Sequence, residues 1–109
     1  MGKKKVFAIP RHYENVGIIL RQMRLNAGLT QRAVALRLDY SSAQFISNFE
    51  RGIAVPTLRK LKLMVEIYGV PVEAIVAPIV EAERMRLMHD LQKEDKDGKL
   101  KKPAGPRAS

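Results

Sequence analysis

The fold of this chain is decided by residues 30–52, TQRAVALRLDYSSAQFISNFERG. Apolar residues recur there at helical spacing on both sides of a polar turn at residues 39–41. The hydroxyl of Thr30 can accept a hydrogen bond from an unpaired amide at the start of a helix over residues 31–38. The stretch therefore predicts a short helix, a turn and a second short helix.

The second of these helices has two candidate caps. The sequence from Ser41 onwards, Ser-Ser-Ala-Gln, has the form of a capping box, which predicts Ser41 as the cap. Ser42, one residue later, fits the role equally well. Ile46 and Phe49 are expected to form the buried side, and Gly52 is expected to end the helix. This helix should therefore be short, apolar on one side and polar on the other.

Helices are also predicted on both sides of this stretch, because apolar residues at helical spacing alternate with glycines, threonines and prolines. The predicted helices are residues 14–27, residues 31–38, one capped by Ser41 or Ser42, one from Thr57 to Gly69, a short one starting near Pro71, and residues 78–91. No segment alternates with period two. We therefore expect an all-α fold, a five-helix domain with an additional C-terminal helix.

The same spacing predicts which side chains are buried. They are Val16, Leu20, Met23, Ala27, Val34, Ala35, Leu38, Ile46, Phe49, Leu58, Leu61, Val65, Tyr68 and Ile75. The fourth helix has a second apolar row, Leu63 and Ile67, and the last helix has a stripe of Val80, Leu87, Met88 and Leu91. Two alternatives stay open for these rows: the last helix folds back over the fourth, or the stripe pairs two subunits.

The charge pattern favours a polyanionic partner. The chain has 109 residues, enough for one domain, and 20 Lys and Arg against 11 Asp and Glu give a formal net charge of +9. Residues 1–12 carry +4 and residues 93–109 carry +3, so basic ends flank a nearly balanced body. Nucleic acid is the leading candidate, although basic ends also serve solubility alone.

Other classes of protein are disfavoured by what the sequence lacks. It has no Cys, and its two histidines, His12 and His89, lie far apart along the chain. We therefore expect no metal, no cofactor and no enzymatic activity. No apolar run approaches the roughly 20 residues of a membrane span, and no apolar stretch follows the basic N-terminus. A cytoplasmic location is the expectation.

The outer side of the second short helix is polar. It carries Ser42, Gln44, Ser47 and Asn48, with no acidic residue before Glu50. Such a helix fits the major groove of B-DNA, about 12 Å wide, where amide side chains pair with N6 and N7 of adenine. An ordinary polar surface helix has the same pattern, so the residues alone leave both interpretations open.

From Val16 to Val70 the chain resembles the Cro/repressor-type (XRE-like) helix-turn-helix family. The matching pieces are Val16-Gly17, Arg24, GLTQ at 28–31, Ala35, Leu38, ISNFERG at 46–52, Pro56 and Gly69-Val70. The chain departs from the family in a turn one residue longer, in Asp39 where glycine is usual, and in Ala33 where an acidic residue is frequent. The resemblance implies that the second helix of the motif enters the major groove.

Residue roles follow from the resemblance position by position. The resemblance implies base contacts by Gln44 and Asn48, with Ala43 close enough to touch a thymine methyl, and phosphate contacts by Gln31, Ser42 and Arg51. The residues themselves add Ser47 as a base contact and Arg32, Lys3, Lys4 and Lys5 as candidate phosphate contacts. Arg32 and the three lysines fit a solvated role equally well. Arg24 and Glu50 match a structural ion pair that bridges the first helix to the end of the third.

The expected function is that of a sequence-specific, double-stranded-DNA-binding transcriptional regulator, a repressor acting as a homodimer. The expected organisation is a flexible basic arm (1–12), the helix-turn-helix domain (13–77), a C-terminal helix available for dimerisation (78–92) and a disordered basic tail (93–109). Two alternatives are an antitoxin-like autoregulator that binds a toxin protein and a protein-interaction module that retains the fold.

Overall fold

The computed structural model describes residues 12–93, which form five helices. The helices are α1 (Glu14–Asn26), α2 (Gln31–Arg37), α3 (Gln44–Glu50), α4 (Leu58–Tyr68) and α5 (Glu73–Gln92). No strand occurs between residues 12 and 93, and the predicted all-α fold is confirmed. The predictions for Lys3, Lys4 and Lys5, and for nearly all of the arm and the tail, lie outside the described residues.

The ends of the helices follow the local signals. Thr30 Oγ1 accepts a hydrogen bond from the backbone amide of Ala33 at 3.0 Å, and Thr57 Oγ1 accepts one from the amide of Lys60 at 3.2 Å. Each threonine satisfies one of the amides that the first turn leaves unpaired. Both predicted caps are confirmed.

The turn between α2 and α3 contains a left-handed residue that is not glycine. Asp39 has φ +65°, and the amide of Tyr40 donates to the carbonyl of Ala35 at 2.9 Å. That hydrogen bond closes the end of α2 in the way that glycine usually permits. Aspartate tolerates this conformation better than most residues, so the fold survives the departure from the family pattern.

One core lies between the helices. Its buried side chains are Val16, Leu20, Met23, Val34, Ala35, Leu38, Ile46, Phe49, Leu61, Met64, Val65, Tyr68, Ile75 and Ala82. The prediction for Leu58 is wrong, because that side chain is 81% exposed, and α4 buries Met64, which was not predicted. Helical side chains tilt toward the N-terminus, so the first residue of α4 points past the start of the helix, away from the core.

The C-terminal part of the fold differs from the prediction of two helices. A single helix, α5, runs through Pro78 without a break. Pro78 removes one hydrogen bond of the helix, the one to the carbonyl of Ala74 four residues earlier, and its ring crowds the same carbonyl. Ala74 is exposed, so water can satisfy that carbonyl. The proposed division between residues 77 and 78 therefore falls inside one helix.

A hydrogen bond and a contact between two rings join the residues just before α1 to the later turns of α5. The hydroxyl of Tyr13 donates to the carboxylate of Glu83, and the rings of His12 and His89 lie 5.4 Å apart between centroids. The two histidines are distant in sequence but neighbours in the fold. Within residues 12–93, no three His, Asp or Glu side chains gather where they could hold a metal ion. None of the described helices is long and apolar enough to cross a membrane.

Candidate nucleic-acid interface

A buried ion pair fixes the far end of α3 to α1. Arg24 Nε lies 2.6 Å from Glu50 Oε2, and a second guanidinium nitrogen lies 3.0 Å from Oε1. The two side chains are only 8% and 2% exposed. Hydrogen bonding to Glu50 raises the pKa of Arg24, and burial opposes that rise. A third guanidinium nitrogen of Arg24 donates a hydrogen bond to the carbonyl of Leu29 at 2.8 Å, so the ion pair also fixes the loop between α1 and α2.

The start of α2 joins this cluster through Gln31. Its Nε2 donates to Glu50 Oε1 at 3.0 Å, and the side chain is half-buried. The sequence predicted a phosphate contact for this residue. Its amide group keeps its second hydrogen and its oxygen for such a contact.

Close backbone packing reinforces the link between α1 and α3. A Cβ added to Gly17 would lie 2.4 Å from the carbonyl oxygen of Glu50 and 2.6 Å from that of Phe49. Only glycine therefore allows α1 to approach α3 this closely.

The hydroxyl of Tyr68 is buried with no hydrogen-bond partner among the described residues. Burial, together with the charge of Glu50, raises the pKa of Tyr68.

The outer face of α3 carries a chain of hydrogen-bonded side chains. Gln44 Nε2 donates to Asn48 Oδ1 at 2.9 Å, and an Arg51 guanidinium nitrogen donates to the same oxygen at 3.0 Å. Gln44 and Arg51 are exposed, and Asn48 is half-buried between them. The sequence predicted Gln44 and Asn48 on one face and Arg51 as a phosphate contact, but it gave no sign that the three bond to one another.

The shared oxygen determines what each side chain can offer to a ligand. Because Asn48 Oδ1 already accepts two hydrogen bonds, the amide hydrogens are the groups that Asn48 retains for a ligand. Gln44 retains its oxygen as an acceptor and its second amide hydrogen as a donor. Gln44 thus offers a ligand both a donor and an acceptor, whereas Asn48 offers donors alone.

The start of α3 differs from both predicted caps, because Ala43 occupies the N-cap position and makes no side-chain capping bond. Ser42 still satisfies the first amide of the helix, since its Oγ accepts a hydrogen bond from the backbone amide of Gln44 at 2.9 Å. The capping box is incomplete, because the Gln44 side chain turns to Asn48. Ala43 and Ser47, the other implied base contacts, are half-buried at the edges of the exposed face.

An exposed aromatic residue lies beside this face. Phe45 is 41% exposed, and its ring stacks on that of Tyr40 with centroids 4.6 Å apart and planes 10° from parallel. Lys60 Nζ lies 4.8 Å from the centroid of the Tyr40 ring and donates to the carbonyl of Leu38. The sequence contained no periodic signal for this stack, since Tyr40 lies in the turn.

A comparison with known protein families identifies the family of this chain. A helix-turn-helix family model matches residues 20–75, just over half of the chain. The chain belongs to the Cro/repressor-type (XRE-like) helix-turn-helix family. Neither a search of curated proteins nor one of solved structures returned a match.

Family membership indicates DNA binding and a part in transcriptional regulation, and proteins of this family are typically not enzymes. In a helix-turn-helix motif the second helix is the recognition helix, and α2 and α3 occupy the positions of the two helices of that motif. The match spans the Arg24–Glu50 pair and the whole exposed face of α3. DNA is therefore the partner that the family implies for this chain.

The helix-turn-helix domain also exposes apolar side chains far from the recognition helix. Val80, Leu87, Met88 and Leu91 on α5 are all exposed within the single chain, and Leu63 on α4 is at the margin of exposure. Ile67 instead packs against the core. The α5 stripe therefore does not cover α4 within the described chain.

Proposed function

We propose that this protein is a transcriptional repressor that binds specific double-stranded DNA as a homodimer, with α3 in the major groove. The observation that carries the proposal is the exposed Gln44–Asn48–Arg51 hydrogen-bond chain on that helix. The exposed part of the helix has no acidic side chain to repel phosphates, because Glu50 is buried in its pair with Arg24.

Gln44 is the principal base contact in this proposal. Its acceptor oxygen and remaining amide hydrogen match N6 and N7 of adenine, and the bond to Asn48 holds the amide in position. Asn48, which presents hydrogens, suits an acceptor edge such as N7 and O6 of guanine or O4 of thymine. Holding both amides in place before binding reduces the entropy lost on association.

Phosphate contacts supply the sequence-independent part of the affinity. Arg32 is exposed on α2, Arg51 is exposed at the end of α3, and the hydroxyl of Ser42 keeps its hydrogen for donation. The remaining amide hydrogen of Gln31 is a fourth donor, and the N-terminal lysines add charge. Such contacts make binding strongly dependent on salt.

Substitution of Gln44 tests the function directly. A preferred duplex is first selected from random DNA with the full-length protein. Gln44→Ala should weaken binding to that duplex by about 10- to 100-fold, as expected for one bidentate base contact, and should leave binding to random DNA unchanged. Gln22→Ala, a change of an exposed glutamine on α1, is the matched control. Equal losses on both DNAs, or failure to select any sequence, would overturn the proposal.

We assign the interface of the homodimer to the exposed apolar stripe of α5. Leu87→Asp would place a charge within the stripe and should convert a dimer to a monomer in sedimentation analysis. Leu25→Asp, at an exposed residue on α1, should leave the mass unchanged. A wild-type protein that remains monomeric at micromolar concentration would contradict the homodimer and favour a different protein partner for α5.

A further inference from the structure

Phe45 adds a large apolar surface beside the polar side chains on the outer face of α3. It directly follows Gln44 on α3, and it is exposed, whereas Ala43 and Ser47 are only half-exposed. Removing an aromatic ring from water is favourable. A ligand that covers the exposed ring of Phe45 would therefore gain binding energy.

The ring of Phe45 is held in place by a chain of aromatic contacts. It stacks on Tyr40, whose own ring meets that of Phe49 at 5.8 Å in a tilted arrangement. Phe49 belongs to the core, and Lys60 lies over the Tyr40 ring. The exposed part of Phe45 is therefore presented by a fixed support, so little side-chain freedom is lost when it meets a ligand.

The geometry of the stack excludes intercalation. One face of Phe45 is covered by Tyr40, with the two planes only 10° from parallel. A side chain that separates two base pairs needs both of its faces available. Phe45 can therefore contact the edge of a base but cannot enter the base stack.

Only one base edge in the major groove offers an apolar group, the C5-methyl of thymine. Arg51 is exposed directly after α3, and Lys60 Nζ lies over the Tyr40 ring, so the charge around Phe45 favours an anionic partner over a neutral or basic surface. Membership of a DNA-binding family favours a nucleic acid as that partner. We propose that Phe45 determines specificity by contacting the C5-methyl group of a thymine beside the base pair that Gln44 contacts. This inference rests on the proposed function.

Uracil substitution tests the contact at a single methyl group. Each thymine of the selected duplex is replaced in turn by uracil, which removes the methyl and keeps every hydrogen-bonding group. At one thymine, the wild-type protein should lose about four-fold in affinity, the size expected for one buried methyl group. Phe45→Ala should bind the thymine and uracil duplexes equally well.

Two further variants keep the test decisive if Phe45→Ala disturbs the turn. Phe45→Leu keeps an apolar side chain and should retain discrimination between thymine and uracil, with thermal melting confirming the fold. Ile18→Ala, at an exposed residue on α1, should retain the full wild-type ratio.

The outcomes separate this inference from the function on which it rests. If the wild-type protein ignores uracil at every position, or if Phe45→Ala keeps the wild-type thymine-to-uracil ratio, the methyl contact is refuted. A Gln44→Ala variant that still loses selective binding in that case leaves the proposed function standing. If no duplex can be selected at all, both are refuted.

Discussion

Three hydrogen bonds converge on the buried carboxylate of Glu50, two from Arg24 and one from Gln31. A carboxylate this deeply buried is costly unless its charge is paired. The carboxylate of Glu50 therefore requires α1, the start of α2 and the end of α3 to meet at one point.

Removal of the cation should be severe. Arg24→Met should lower the free energy of unfolding by about 3 kcal/mol, because Glu50 would stay buried with only Gln31 as a partner. Urea denaturation followed by circular dichroism measures the change. Arg21→Met, at an exposed cation on the same helix, should alter stability by less than about 0.5 kcal/mol. Similar losses for the two variants would show that the buried pair has no special role.

The contacts of single residues were only partly predictable. The pairing of Arg24 with Glu50 followed from the family resemblance, and the structure brings the two together. The stack of Tyr40 and Phe45 and the bond from Gln44 to Asn48 did not follow. Such contacts depend on side-chain rotamers, which the packing of the whole domain selects.

At the scale of helices, local signals predicted the ends well. Thr30 and Thr57 each cap the helix that was assigned to them, because capping uses groups only three residues apart. The errors involve Leu58 and Pro78. The exposure of a side chain in a first turn, and the tolerance of a proline inside a helix, depend on what surrounds them, and the sequence does not state this.

Pro78 should weaken α5 even though the helix continues through it. Pro78→Ala restores an amide that can donate to the carbonyl of Ala74, and it should stabilise the protein by about 1–3 kcal/mol. The midpoint of thermal unfolding measures the gain. Pro71→Ala, at an exposed proline just before α5, should give no gain, because that amide is not required within the helix.

At the scale of the whole molecule, the charges are unevenly distributed. The net charge of +9 belongs mostly to the two ends of the chain, and residues 13–92 carry only +2. Because residues 13–92 are nearly neutral, adding or removing one cation on the binding face should change the salt dependence of DNA affinity by a detectable amount.

Arg32→Gln should therefore act on all DNA sequences alike. It should weaken binding to selected and random duplexes by the same factor and reduce the slope of log affinity against log salt by about 0.9. Fluorescence anisotropy at several salt concentrations measures both quantities. Arg21→Gln should leave the slope unchanged; a drop of equal size there would mean that Arg32 has no specific phosphate contact.

The close approach of Gly17 to the backbone of Glu50 and Phe49 has a practical consequence for redesign. A combinatorial library that seeks new DNA targets can randomise Gln44, Phe45 and Asn48, whose side chains project from the scaffold. Gly17 must stay constant in every library member, because any larger residue would push the recognition helix away from its support and misalign all of the randomised side chains together.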